Sequence, residues 1–322
     1  MISVVIEGYN ESGNLGSISD TMAALAQQDY PLKHINIILV GTPDQAARWR
    51  SEWTTCNTFA SIETVGCDGG NYYSFKNAGA VQSGDEIIAF TDSDVTPGPQ
   101  WLSSIADSIA GGADISVGIS TFRGASGRGL IPFLILALSA VAWGWVIGRR
   151  SGNTYSVNGF HGHNVAFRAR SFHRLKFRDD LGRSAGSLLL YQRSRDAGLE
   201  FVLQPRQRGT HSFSLAGLLA FHVFVGYEVM TARRLNSRLP NGWTSHAGFL
   251  QPLVCLAMHS IFDLPQSYRY ATLMGLGPAR RLGFVCVAGL LSLPCRAIQS
   301  ISMYMTMLAP RRMREWSEHA VC

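Results

Sequence analysis

The chain has 322 residues, 46% of them hydrophobic and 16% charged, with 28 Lys and Arg against 22 Asp and Glu. High apolar content and small net charge exclude a disordered chain, and a mean hydropathy of +0.08 excludes one built mostly of membrane spans. The length fits two domains, or one large domain with an appendage, so a catalytic-size soluble domain carrying membrane-seeking segments is expected.

The first 120 residues alternate short β-type runs with helical stretches. Residues 2–6 (ISVVI) carry a buried-strand pattern; 35–40 (INIILV), 61–65 and 86–90 (EIIAF) repeat it, and 115–118 form a weaker fifth run. Helical segments lie between them, most clearly over 15–27 and 72–82. Strands separated by crossovers of this length predict an α/β fold, a mostly parallel sheet flanked by helices. In such folds the functional groups collect at the carboxyl ends of the strands.

Residues 129–148 (GLIPFLILALSAVAWGWVIG) are 20 residues without a charge, flanked by Arg128 and by Arg149 and Arg150. Length alone would make this a transmembrane helix. Arg on both flanks gives no side preference, and Pro132 and Gly144 weaken a straight span. The chain on either side is expected to build one site, so an interfacial or groove-lining helix is the preferred reading. After His211 the character changes: 212–227, 247–262 and 282–310 are long and apolar. The last contains one charge, Arg296, beside Pro294; Arg280 and Arg281 precede it, and Arg311, Arg312 and Arg314 follow it. Basic residues at both ends predict a re-entrant or in-plane hairpin with both ends cytoplasmic, the alternative being an ordinary buried helical subdomain.

The net charge is +6 and the isoelectric point near 9.1. Its basic residues come as scattered pairs beside apolar runs, which suits anionic lipid and not nucleic acid. Six cysteines, at 56, 67, 255, 286, 295 and 322, show no CxxC and no Cys/His ligand spacing, so reduced cytosolic thiols are expected. Met1 leads straight into the first apolar run with no basic n-region, and the N-terminal half is expected to stay in the cytoplasm.

The strongest local signal is Thr91-Asp92-Ser93-Asp94, directly after the fourth strand. Carboxylates at i and i+2 of an extended segment project to one side, where they can gather a hard divalent cation that takes diphosphate oxygens. Such a cation offsets the charge building on a departing nucleoside diphosphate. A loop or N-cap pair is the bland alternative. At the first strand's exit, Glu7, Gly8, Tyr9, Asn10 and Glu11 form a polar loop that could suit a base or ribose, although this stretch alone favours a helix cap at Asn10 or Ser12. Lys76 could balance phosphate charge, or be a solvated helix lysine.

In this order the pieces ISVVIEGYNE, SFKNAGAVQSGDEIIAFTDSD with TPGPQWL, NGFHGHNVAFRARSF and RSRDAGLEFVLQPRQRGTH resemble the family 2 glycosyltransferases, which have the GT-A fold. The resemblance covers about the first 211 residues. It implies an inverting transfer of a sugar from a nucleotide-sugar donor, with Mg or Mn at Asp92 and Asp94. It makes Asp94 the direct metal ligand, puts Asp92 nearer the ribose, and aligns His211 with a C-terminal histidine that helps hold metal or phosphate. Residues 159–164, ending at Asn164, fall where the family has a glycine-containing loop near donor and acceptor.

Departures from the family pattern are specific. Where an Asp usually ends the second strand, Val40 is followed by Gly41 and Thr42. The Glu-Asp pair expected six to seven residues before Arg193 is replaced by Gly186 and Ser187, so the usual general base is missing. Asp179 and Asp180 are the nearest acidic substitutes. The Q-x-x-R-W signature of processive synthases is absent, Gln192 and Arg193 being no equivalent. The sequence thus predicts a GT-A domain over 1–211, with an apolar interfacial helix at 129–148, and a helical membrane-associated region over 212–322. The enzyme would sit on the cytoplasmic face of the cell membrane and act on a lipid-linked or polysaccharide acceptor of the cell envelope, where proximity favours reaction. The alternative is a catalytically impaired sugar-nucleotide-binding partner protein; a nucleotidyltransferase is disfavoured by the lack of a Gly-rich basic loop near the first strand.

Overall fold

The computed structural model describes residues 1–11, 17–53, 56–152, 154–181, 185–212, 214–236 and 242–319. They fall into two compact units, 1–120 with 160–212, and 121–159 with 213–322. Along the chain come β1 (Ile2–Glu7), α1 (Ile18–Leu25), β2 (Ile35–Gly41), α2 (Pro43–Trp53), β3 (Ser61–Gly66), α3 (Tyr72–Gln82), β4 (Ile87–Asp92), β5 (Val95–Pro97), α4 (Trp101–Ala110) and β6 (Ile115–Phe122). Then follow α5 (Leu130–Trp143), β7 (Ile147–Ser151), β8 (Thr154–Val157), β9 (Val165–Arg168), α6 (Ala169–Leu175), α7 (Gly186–Asp196) and β10 (Phe201–His211). The helices α8 (Leu215–Leu235), α9 (Gln251–Leu273), α10 (Pro278–Leu308) and α11 (Pro310–His319) complete it.

The main sheet runs β3-β2-β1-β4-β9-β6-β10-β5. The first four strands in that order are mutually parallel, whereas β9 is antiparallel to both β4 and β6. Every residue of β1 and β4 is buried, as expected of central strands covered on both faces, which read as continuous apolar runs. At the edge, β3 (SIETVG) keeps half-exposed and exposed positions. Ile2, Val4 and Ile6 of β1 pack with Ile18, Met22 and Leu25 of α1 and with Trp101 and Ile105 of α4.

Each expected strand is present, but the helix expected over 15–27 begins, within the described residues, at Ile18, where Ser17 accepts the Asp20 N–H; Ser12 and Leu15 lie outside the described residues. The start of α3 is fixed by a reciprocal cap. Asn71 Oδ1 accepts the N–H groups of Tyr73 and Ser74 at 3.0 and 3.1 Å, and Ser74 Oγ accepts the Asn71 N–H at 2.7 Å. This cap orients Tyr72 and Lys76.

The apolar run 129–148 is not one helix. It divides into α5, a 3₁₀ turn (Gly144–Val146) and the first residues of β7. With 14 residues α5 is about 21 Å long, short of the roughly 30 Å hydrocarbon core. The chain leaves the sheet at β6 and re-enters it at β9, the strand beside β6, so both flanks of the run belong to one sheet and a single crossing is excluded.

In the second unit α10 packs on α5, α8 and α9. Its buried face is mostly small or polar, with Ala288, Ser292, Arg296, Gln299, Ser302 and Thr306 beside Phe284 and Met303, whereas its exposed face carries Leu282, Leu290, Leu293, Ile301, Met305 and Leu308. This inverts the arrangement of a water-soluble helix. Arg296 anchors the polar face, with Nε and Nη2 donating to the Asp263 carboxylate at 2.8 and 2.7 Å, Nη1 to Gln299 Oε1 at 2.8 Å and Nη2 to Val141 O at 3.1 Å. The Ser292 hydroxyl also donates to Asp263. The segments Gly242–Leu273 and Pro278–Leu308 are long and apolar enough to cross a membrane by length and composition.

Candidate active site

Parallel pairing sets Glu7 in register with Asp92, so the carboxyl ends of β1 and β4 present two acids side by side. Lys76 of α3 reaches between them. Its side chain is fully buried, with Nζ 2.6 Å from Asp92 Oδ1, 3.4 Å from Thr91 O and 4.5 Å from the Tyr72 ring centre. Tyr72 donates its hydroxyl to the same carboxylate, at 3.1 and 3.0 Å from its two oxygens. Glu7 accepts the Tyr9 N–H on Oε2 at 2.5 Å, and its Oε1 has no hydrogen-bond partner among the described residues. Burial, and next the charge of Asp92, push the Glu7 carboxyl well above the usual carboxylate range, with Lys76 pulling the other way.

Asp94, buried like Asp92, stands in the turn between β4 and β5. The antiparallel pairing of β5 with β10 sets Val95 against His211 and so delivers the histidine to it. His211 Nε2 is 3.5 Å from Asp94 Oδ2. Its Nδ1 lies 2.6 Å from Ser212 O, and because a carbonyl only accepts, Nδ1 carries the proton. Nε2 of His211 therefore faces a carboxylate oxygen. That pair is satisfied by a cation between them, a proton on the imidazole or a metal ion.

His163, in the loop before β9, joins the cluster. Its ring stacks on His161 (centres 5.3 Å apart, 9° between planes) and meets His211 edge-on at 5.2 Å, and its Nε2 is 2.8 Å from Ser120 Oγ. Burial first, and then the neighbouring His211, hold it well below the usual histidine range, so it is neutral at pH 7. One ligand atom each from Asp92, His163 and His211 lie within 4.8 Å of one another. His163 was not anticipated from the sequence, where the available signal was the pair of histidines around Gly162.

Other expected residues divide. Tyr9 sets its ring edge-on to Tyr72 and Phe75. Asn10 is 2% exposed and neither atom of its amide is hydrogen-bonded among the described residues. Glu11 is instead paired with Arg48 at 2.5 Å and takes the Gln45 amide at 3.3 Å. Asn164 belongs to the frame beneath the cluster: its Oδ1 accepts from Trp101 Nε1 at 2.8 Å and from Gln207 Nε2 at 3.3 Å, while its Nδ2 donates to Ser120 Oγ at 3.3 Å. Protein groups thus engage both ends of an amide expected at the donor. Asp180 forms an ion pair with Arg178, both half exposed, at 2.5 Å, and Asp179 accepts from Asn77 at 3.1 Å. The structure does not bring either into the cluster.

Both departures from the family pattern are filled by neighbours. At the end of β2, Gln45 Nε2 donates to Gly8 O at 3.0 Å and its Oε1 accepts the Thr42 N–H at 2.8 Å. At the other, Ser187 Oγ and the Tyr73 hydroxyl are 2.9 Å apart, and a Cβ at Gly186 would lie 2.4 Å from the Tyr73 ring.

Comparison with known proteins agrees with this architecture. The solved mannosyltransferase PcManGT from Pyrobaculum calidifontis, in complex with GDP-Man and Mn2+, superposes with a TM-score of 0.57 at 15% identity, over 96% of this chain and 87% of that one. TarS 1-349 from S. aureus, in complex with UDP, gives 0.50 at 14% identity, over 97% and 91%. At such identities the likeness establishes the fold, which is GT-A. The glycosyltransferase AglE of Haloferax volcanii is 30% identical over 121 residues, 35% of this chain and 37% of the relative, so the chain matches little more than a third of that protein's length. Residues 3–176 match the family described as glycosyl transferase family 2. With the sheet, the paired acids and a match over more than half its length in agreement, the chain belongs to glycosyl transferase family 2.

Proposed function

We propose that the protein transfers a sugar from a nucleotide-sugar donor, by a metal-dependent inverting displacement, to a lipid-linked or cell-envelope acceptor at the cytoplasmic face of the membrane. The observation carrying the reading is the buried convergence of Asp92, Asp94 and His211. Its donor set, carboxylates with an imidazole whose Nε2 faces one of them, fits Mg or Mn. When bound, such an ion supplies Lewis-acid compensation for the charge of the departing diphosphate. Asp94 and His211 would hold it, while Lys76 and Tyr72 fix the orientation of Asp92. The nucleotide is assigned to the mouth of β1, where the buried Asn10 amide offers both a donor and an acceptor without a partner among the described residues.

The inverted pattern of α10 supports the membrane part of the reading, because a helix with leucines outside and polar groups inside suits lipid and not water. Arg280, Arg281, Arg311 and Arg312 flank it at both ends, which supports an in-plane or re-entrant placement against anionic headgroups.

The replacement of the acidic pair by Gly186 and Ser187, packed against Tyr73, favours a second reading: a sugar-nucleotide-binding protein without turnover. A panel of nucleotide sugars with Mn2+, assayed for hydrolysis and for transfer to membrane lipid extracts, separates the two. Turnover abolished by Asp94→Ala supports the enzyme, and nucleotide binding without turnover under every acceptor supports the binding protein.

A further inference from the structure

From the same cluster we infer that His163 is a further ligand of the cation site, which makes the site a two-imidazole centre that takes Mn2+ in preference to Mg2+. The inference rests on the metal-dependent reading above and deepens it by naming the ion. Geometry carries it. Three buried side chains from three separate parts of the fold, the end of β4 (Asp92), the loop before β9 (His163) and the end of β10 (His211), bring a donor atom each within 4.8 Å of the others. Donors on one ion, with bonds of about 2.0–2.2 Å at octahedral or tetrahedral angles, stand about 3–3.6 Å apart, so the three would close by up to about 1–2 Å around an ion. Asp94 adds a fourth, with Oδ2 already 3.5 Å from His211 Nε2.

The second observation is that each imidazole is fixed by a hydrogen bond at one ring nitrogen. His211 is fixed by its Nδ1–H to Ser212 O, and His163 by Ser120 Oγ at Nε2. Ser120 is itself tied to Asn164, whose amide is locked by Trp101 and Gln207. Hydrogen bonds on the far side of a ligating histidine are the usual means of aiming its ring. A core histidine without such a task would have no need to stand edge-on to a second histidine, 5.2 Å away, beside two carboxylates.

Ligand type then decides the ion. Mg2+ takes oxygen donors in near-ideal octahedra and keeps much of its water, whereas imidazole raises affinity along the transition series relative to such hard cations. A site of carboxylates and one imidazole tolerates either ion; a second imidazole tips it toward the transition metal.

The test uses the full chain in detergent, stripped of metal by chelation and titrated with Mn2+ or Mg2+ alone, with electron paramagnetic resonance reading both free Mn2+ and nitrogen couplings on the bound ion. Two imidazole nitrogens are expected in the wild type and one in His163→Gln, with Mn2+ affinity falling at least tenfold and Mg2+ affinity changing less than threefold. Ser120→Ala, which removes only the support of the ring, should weaken Mn2+ by a smaller factor. A single nitrogen coupling in the wild type, or His163→Gln with unaltered Mn2+ affinity while Asp94→Asn abolishes binding, overturns the role of His163 and leaves the metal-dependent reading standing. A wild-type protein that binds no Mn2+ overturns both.

Discussion

Replacing Lys76 with methionine isolates the ion that holds the acid cluster together. The ammonium is fully buried and is the only cation within hydrogen-bond reach of Asp92 among the described residues, at 2.6 Å; Glu7 lies fully buried alongside. Methionine keeps the length of the side chain and its contact with the Tyr72 ring, but it leaves two or three carboxylates in a dry site with Tyr72 alone donating to Asp92. Removing one partner of a buried pair costs about 3–5 kcal/mol, since the other charge stays behind uncompensated. At roughly 2–4 °C per kcal/mol, thermal unfolding of the full chain should shift down by about 6–20 °C. The assay is unfolding in detergent without divalent metal, run as a cycle of Lys76→Met, Asp92→Asn and the double variant. The double variant should recover most of the loss, because both charges leave together. Mn2+ should also raise the melting point of Lys76→Met more than that of the wild type, since a bound cation takes over the compensation. A Lys76→Met protein within about 1 kcal/mol of wild type, or a double variant as unstable as the single one, would refute the argument that this pair is the electrostatic keystone.

Three other outcomes follow from the packing. Gly118→Ala places a Cβ 2.2 Å from Asn164 Oδ1 and 2.4 Å from the Gln207 carbonyl; the fold should lose about 2–3 kcal/mol, read by denaturant unfolding. In the helical unit, Arg296→Met strands the buried Asp263 carboxylate and should cost about 3–5 kcal/mol, most of it recovered in Arg296→Met with Asp263→Asn; unequal helical content of the two variants on heating checks this. On the exposed face of α10, Leu290, Leu293 and Leu308 are 71%, 54% and 76% exposed. Changing each to serine should weaken partition into anionic vesicles about tenfold per residue, at roughly 1.5 kcal/mol for each apolar side chain withdrawn from lipid, with the melting point unmoved; co-sedimentation measures it.

The first half of the sheet was legible in the sequence because β1, β2 and β4 are parallel strands covered on both faces. Such strands leave an uninterrupted apolar run that no helix of the same length imitates well. The second half was not. β10 (FVLQPRQRGTH) is polar, contains Pro205, and buries an irregular set of positions; it is a strand because its neighbours supply the hydrogen bonds, and no local property announces that. The run at 129–148 reads as one helix because its hydrophobicity is uniform, so nothing marks where α5 gives way to β7. The switch is set by the β7–β8 hairpin, whose close approach a Cβ at Gly148 would block at 2.2 Å from Ser156 Oγ. At the site, Asp92 and Asp94 could be named from their spacing at the end of β4, and His211 from the family resemblance. His163 could not, because it shares no ligand spacing with His211 and meets it only through the order of β9, β6 and β10 in the sheet.

The two departures from the family pattern look alike in sequence, each an acid replaced by a small residue, and the fold shows what the small residue makes room for. At the end of β2 a Cβ on Gly41 would fall 2.5 Å from Gln45 Oε1 and 2.7 Å from Trp49. Gln45 uses that space to satisfy the Gly8 carbonyl and the Thr42 N–H. At the start of α7 the space beside Gly186 is taken by the Tyr73 ring, whose hydroxyl meets both Ser187 Oγ and the Ser187 N–H at 2.9 and 3.1 Å, and which stacks on Phe177 at 4.8 Å. Erosion of a once-needed acid would leave a void or an orphaned polar group. Here each place is filled, and the Gln45 amide and the Tyr73 and Ser187 hydroxyls that fill it are hydrogen-bonded. A carboxylate put back at 187 alone would be buried against the Tyr73 ring, so its charge would be resisted by burial, as at Glu7. On the proposed reading, the chemistry of this chain lies in the histidine-rich cluster that the sheet assembles.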